Sequence, residues 1–169
     1  MPEDIRYQLY DTAIFSTALA GEQQLFGVAQ GADATHTKAF TNSRGAGSLP
    51  QGEKFVIDRI GVYLDENNLL PADLVNVWRQ SYLEIRVQDL TYWLSPLRPL
   101  AYQNAWGGHY SQTAAANGAA IGLLGEGYEL DVPIVVPGGS SFKVIVNQGT
   151  VLATATQQLK VTLDGILSR

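Results

Sequence analysis

The chain has 169 residues, 46% of them hydrophobic and 16% charged, with a net charge of -5 and no Cys, a composition that suits one globular domain able to bury a core. Apolar content is ordinary and evenly spread, which excludes a disordered chain and a coiled coil. The apolar, nearly uncharged stretches Gly118 to Gly125 and Val132 to Ser141 are short and broken by Gly or Pro, far below the ~20 apolar residues that a membrane-spanning helix needs.

Met-Pro-Glu-Asp opens the chain with acids and no apolar segment follows, so a secretory signal peptide is not expected. Ile5 to Ile14 then alternates Ile5, Tyr7 and Leu9 against Arg6, Gln8 and Tyr10, the period of a strand. Gly31 to Gly52 is a long connection rich in small residues, of a length that usually serves a purpose. Glu53 to Leu64 reads as a strand whose apolar phase changes, Phe55 and Ile57 being followed by Ile60, Val62 and Leu64. Between Asn68 and Gln80 the spacing changes to Leu70, Leu74, Val77 and Trp78, with Pro71 and Asp73 in the first turn. This pattern predicts one short helix.

Tyr82 to Val87 alternates again, and Gln88-Asp89 turns it into Leu90 to Leu94, a hairpin without the preferred Asn-Gly. A second long connection runs from Asn104 to Gly127. Tyr128 to Val136, Ser141 to Asn147 and Gln158 to Leu163 are strands, with Pro137-Gly138-Gly139 turning the first into the second. No repeat appears, so residues 1–169 form one domain. About eight strands with one small helix and long loops predict an all-β fold, either a single antiparallel jelly roll or an immunoglobulin-like sandwich; the absent Cys…Trp…Cys pattern favours the jelly roll. Its core should take in Ile57, Ile85, Val87, Val144, Val146 and Val161, each an apolar member of an alternating run.

The chemistry-bearing motifs are weak. Gly47 to Lys54 has the glycine spacing of a phosphate loop, but Glu53 stands where the lysine belongs and a strand follows where a helix should. His36 and His109 lie in small-residue loops without a second histidine or a carboxylate at ligand spacing. Ser140-Ser141 lacks a nucleophile elbow. Glu129 and Asp131 share a strand face, as a glycosidase pair could, but solvated carboxylates do so commonly. The expectation is therefore a protein that is not an enzyme, with no catalytic, cofactor or metal residues.

Basic residues number six against eleven acidic ones in 1–84 and five against five in 85–169, with no run of three. Direct contact with nucleic acid is not expected, because phosphate binding needs clustered Lys or Arg. Trp78, Trp93 and Trp106 cluster with Tyr92, Tyr102 and Tyr110 in the middle third. They are core, a stacking platform for sugars, or anchors of a protein interface.

The series Tyr82-Leu-Glu-Ile-Arg-Val-Gln-Asp-Leu-Thr-Tyr-Trp-Leu-Ser-Pro-Leu-Arg-Pro-Leu, a long insertion, Tyr128 to Val146 and a terminal Leu159 to Leu167 resembles the single-jelly-roll major capsid proteins of tailless icosahedral DNA phages and haloarchaeal viruses with an internal membrane, above all the small major capsid proteins of the Thermus-phage type. The resemblance covers about Lys54 to the C-terminus and rests on order and texture; residues 1–50 do not contribute. A net charge of only -5 favours a non-halophilic member. The resemblance implies a jelly roll standing upright in a virion shell, made in the host cytoplasm and paired with a larger capsid protein of similar fold above the internal lipid membrane. The lack of a basic arm agrees with an inner face that meets lipid or protein. A carbohydrate-binding jelly-roll module using Trp93, Trp106 and Tyr110 is the alternative. Interface candidates are Tyr7, Leu9, Trp78, Trp93, Trp106 and Tyr110. Tyr7 and Leu9 enter because Ile5 to Ile14 is terminal and Ala18 to Glu22 could act as a hinge, so that this strand either pairs in its own chain or is exchanged in a homodimer.

Overall fold

The computed structural model describes residues 3–64, 71–103, 127–153 and 156–169. Eight strands form two four-stranded antiparallel sheets: β1 (Asp4–Phe15), β2 (Gly21–Leu25), β3 (Lys54–Leu64), β4 (Tyr82–Val87), β5 (Leu90–Pro96), β6 (Tyr128–Pro137), β7 (Phe142–Gln148) and β8 (Gln157–Ser168). One sheet runs β1-β8-β3-β6 and the other β2-β7-β4-β5. Strands β1 and β8, β2 and β7, β3 and β6, β4 and β5 are all paired. The order is that of a ribbon made by laying the first four strands against the last four and rolling it up, which brings β3 onto β8 and β4 onto β7. This is the eight-stranded jelly roll.

Alternation places the core. Ile57, Ile85, Val144, Val146 and Val161 are fully buried and Val87 is 2% exposed, so all six expected core positions face inward. The phase change in β3 is a bulge at Asp58: Ile57 faces Gly165 of β8, the register shifts, and Arg59 faces Asp164. One extra residue in a strand moves every later side chain to the other face, which is why Ile60, Val62 and Leu64 return to the core.

The Gln88-Asp89 hairpin forms although neither residue is glycine, and both have positive φ, 50° and 62°. Contacts from the neighbouring turn hold this backbone: Gln88 N–H donates to Ser141 O at 2.9 Å, Gln88 Nε2 to Ser140 Oγ at 2.9 Å, and Lys143 Nζ to Asp89 Oδ1 at 2.9 Å.

Three elements differ from the sequence pattern. Strand β2 occupies Gly21–Leu25, so the expected hinge Ala18 to Glu22 ends inside a strand. Its sequence, GEQQL, has no apolar alternation, and pairing with β7 supplies the order. Strand β8 continues past Leu163 to Ser168. A second helix, α2 (Leu97–Gln103), joins the expected α1 (Pro71–Gln80), so the described residues hold two helices where one was expected. Pro96 and Pro99 mask α2 in the sequence, yet Pro99 sits in its first turn, where no N–H is required. Leu97 and Leu100 anchor it, both fully buried.

Connections alternate between the two ends of the sandwich. Both helices lie at one end, where Leu97 N–H donates to Ser81 O at 3.0 Å and Leu152 N–H to Ser16 O at 3.0 Å. At the other end the long connection 26–53 meets the β6–β7 turn, with Gly139 N–H on Leu49 O at 3.1 Å and Phe142 N–H on Gly47 O at 2.8 Å.

Candidate functional site

The outer edge of β1 would ordinarily be a row of open backbone groups ready to pair with another chain. From Gln8 to Ser16 it is closed by three amide side chains. Asn42 Oδ1 accepts from Tyr10 N–H at 2.8 Å and Asn42 Nδ2 donates to Gln8 O at 2.7 Å. Gln23 accepts from Ile14 N–H at 2.9 Å and donates to Ile14 O at 2.6 Å. Gln148, 1% exposed, accepts from Ser16 N–H and donates to Ser16 O, both at 2.7 Å. Thr12 Oγ1 adds a bond to Phe40 O at 2.8 Å. These side chains act as a substitute ninth strand. The length of the 26–53 connection is thereby explained, since it carries Asn42 and Phe40 along the open flank of the sandwich.

Beneath this flank lies an open groove of about 600 Å³ between β1, β2 and the connection, with Asp11, Gln24, His36 and Phe40 among its walls. Asp11 is the inward polar residue in the series Ile5, Tyr7, Leu9, Asp11, Ala13, Phe15, and it is 5% exposed. Its carboxylate accepts the N–H of Phe26 and, at 2.8 Å, that of Thr12. It thereby ties the corner after β2 to β1, where Phe26 turns with φ 61°. Burial raises the Asp11 pKa above the usual carboxylate value, and the N–H groups of Phe26 and Thr12 pull it part of the way back. His36 Nδ1 lies 2.8 Å from Asp33 Oδ1, so the carboxylate neighbour that was not expected for His36 stands three residues before it. The Thr35 hydroxyl, and after it this His36 contact, hold the Asp33 carboxyl well below the ordinary range. The Asp33–His36 pair belongs to an exposed turn and Asp11 is occupied with backbone donors. Among the described residues no group of three His, Cys, Asp or Glu could hold a metal ion.

Asp11→Ala leaves two N–H donors without their acceptor, and the expected loss is about 2–4 kcal/mol in urea unfolding. The pH dependence has a definite sign. A carboxyl whose pKa is raised on folding adds stability below its unfolded value, and that increment disappears as pH rises through the folded value. The penalty of Asp11→Asn should thus be largest under acid conditions and shrink toward neutrality. A penalty that grows with pH would contradict the burial of this group.

The interface candidates fall into three groups. Leu9, 4% exposed, and Trp78, 6% exposed, lie in the chain's own core. Tyr7 and Trp93 are half-buried against that core. The Tyr7 ring meets Phe55 edge-on at 6.5 Å, with the Arg44 guanidinium 5.6 Å from its centroid; Trp93 packs on Tyr128 at 5.8 Å. Trp106 and Tyr110 lie outside the described residues, as do His109 and most of the second long connection. Glu129 and Asp131 are exposed on the outer face of β6. Strand β1 pairs with β8 of the same chain over twelve register positions, Asp4 with Ser168 through Phe15 with Gln157.

No family model, no curated protein and no solved structure matches the chain.

Proposed function

We propose that the chain is a structural subunit of a viral shell, a capsid jelly roll that associates with copies of itself and with a larger capsid protein of similar fold above an internal membrane. The strand order carries this reading, because the double-sheet jelly roll is a fold that shells and lectins share and the resemblance over Lys54 to the C-terminus favours the shell. The charge arrangement supports it. Arg6 pairs with Asp58, Arg44 and Arg169 with Glu53, Arg86 with Glu84 and Lys143 with Asp89. Cations engaged in this way suit a face that meets lipid or protein better than one that neutralises a genome.

The carbohydrate-binding alternative is less well supported, since Trp93 turns its ring onto Tyr128 and the core. A glycan array and sedimentation velocity, run on the same preparation, separate the two. The shell reading expects concentration-dependent association and an array without signal. A strictly monomeric chain that binds a defined glycan would replace it with the module.

A further inference from the structure

The caps along the outer edge of β1 leave one gap. Even-numbered residues of β1 turn their backbone groups to this edge, where Asn42 takes Gln8 and Tyr10, Gln23 takes Ile14 and Gln148 takes Ser16. Between these caps Thr12 N–H folds back onto the Asp11 carboxylate at 2.8 Å, and Thr12 C=O receives no donor among the described residues. The groove of about 600 Å³ opens at this gap, with Thr12 among its walls. A backbone carbonyl left open in a concave site of this size is an acceptor available to a ligand.

Two further acceptors belong to the walls. His36 Nδ1 is turned to Asp33 at 2.8 Å, which leaves Nε2 as the open nitrogen of that ring. Asp11 is the one carboxylate among the described lining residues. It accepts the N–H groups of Thr12 and Phe26 and the Thr41 hydroxyl, and a carboxylate has about four lone-pair sites, so room for one more donor remains. Its three donors are all neutral. No Lys or Arg lines the groove, and β2 and β8 contribute only uncharged side chains to it. Burial raises the Asp11 pKa, as expected of a charge that its surroundings do not balance.

We infer that this groove binds a primary alkylammonium ion, with its N–H groups on Thr12 C=O and the Asp11 carboxylate and its alkyl chain along the Phe40 wall. An ammonium group donates three hydrogen bonds and accepts none, which matches a site whose open groups are acceptors. An aromatic wall attracts the same charge. An anion would meet Asp11 with no fixed cation to offset it, and a metal ion finds no set of three ligands among the described residues. The net charge of -5 draws cations toward the chain from a distance. The inference does not rest on the shell reading and survives its failure.

Titration of the full chain with n-butylammonium chloride at neutral pH, followed by amide NMR against potassium chloride of equal ionic strength, should shift the Thr12, Phe26 and His36 signals saturably. A dissociation constant on the order of a millimolar suits so small a ligand. n-Butanol, of like shape without the charge, should bind about tenfold more weakly, since charge-assisted hydrogen bonds are the stronger kind. Asp11→Asn should abolish the saturable shifts. That variant also takes an acceptor from the fold, so the exposed Gln158 on the groove wall supplies a second pair: Gln158→Glu should tighten binding and Gln158→Lys weaken it, each by about threefold, with unchanged melts. No saturation by about 50 mM, butanol equal to butylammonium, or shifts scattered over the surface acids and indifferent to the charge at position 158 would overturn the site.

Discussion

Val144→Asp should leave the chain unfolded at room temperature. Val144 is fully buried on β7, with Leu25 of β2 on one side and Ile85 of β4 on the other. Among the described residues no Lys or Arg is buried to pair with a carboxylate there, and removing an isolated charge from water costs more than the ~5–15 kcal/mol that a domain has in total. Val144→Ala, which only removes volume, should cost about 2 kcal/mol and still fold. Circular dichroism melts of the pair give the comparison. A Val144→Asp protein that melts like its parent would take β7 out of the sandwich interior.

Gly165→Ala should be among the most damaging additions of a single methyl group. Gly165 lies in β8 between Tyr7 of β1 and Ile57 of β3. A Cβ at this position would stand 2.0 Å from Val56 O and 2.8 Å from Val56 C. Backbone cannot rotate away as a side chain does, so β3 would have to shift at its bulge, at about 2–4 kcal/mol for overpacking of this kind. Gly139→Ala is the control. Its φ is 73° with no atom within 4 Å of the added carbon, so only the left-handed backbone counts, about 1 kcal/mol. Urea midpoints should rank the two clearly; equal losses would mean a looser contact between β3 and β8 than these distances give.

Much of this architecture was legible in the sequence because alternation is a local signal. The apolar phase of β3 changes between Ile57 and Ile60, and the chain answers with a bulge at that point. The turn at Pro137-Gly138-Gly139 and the runs on either side of it likewise agree with the structure. Strand β2 was illegible because its order comes from β7, more than a hundred residues away in the chain. Helix α2 was hidden by prolines whose effect depends on where in the turn they fall.

The site was harder to read than the fold. Asn42, Gln23 and Gln148 are ordinary polar residues until the roll brings them to the β1 edge, and no spacing announces such a non-local cap. Asp11 did leave a trace, as the one acid in the inward phase of β1. Aromatic content could not separate core from surface: Trp78 of α1 is interior, while Tyr92, on the hairpin that follows, is exposed. The amide caps also bear on strand exchange. Ser16, two residues before the expected hinge Ala18 to Glu22, is bound through its N–H and C=O to Gln148, and its Oγ accepts the N–H of Ala18 at 2.9 Å. Opening that corner means breaking these bonds first.

Mass spectrometry of particles banded on a density gradient, taken from the culture that produces this chain, tests the proposed role most directly. A shell subunit should be among the most abundant proteins of a band of uniform particles and should stay with that band after nuclease treatment. A band that lacks the chain, with all of it recovered as free monomer or dimer at the top of the gradient, would contradict a shell subunit.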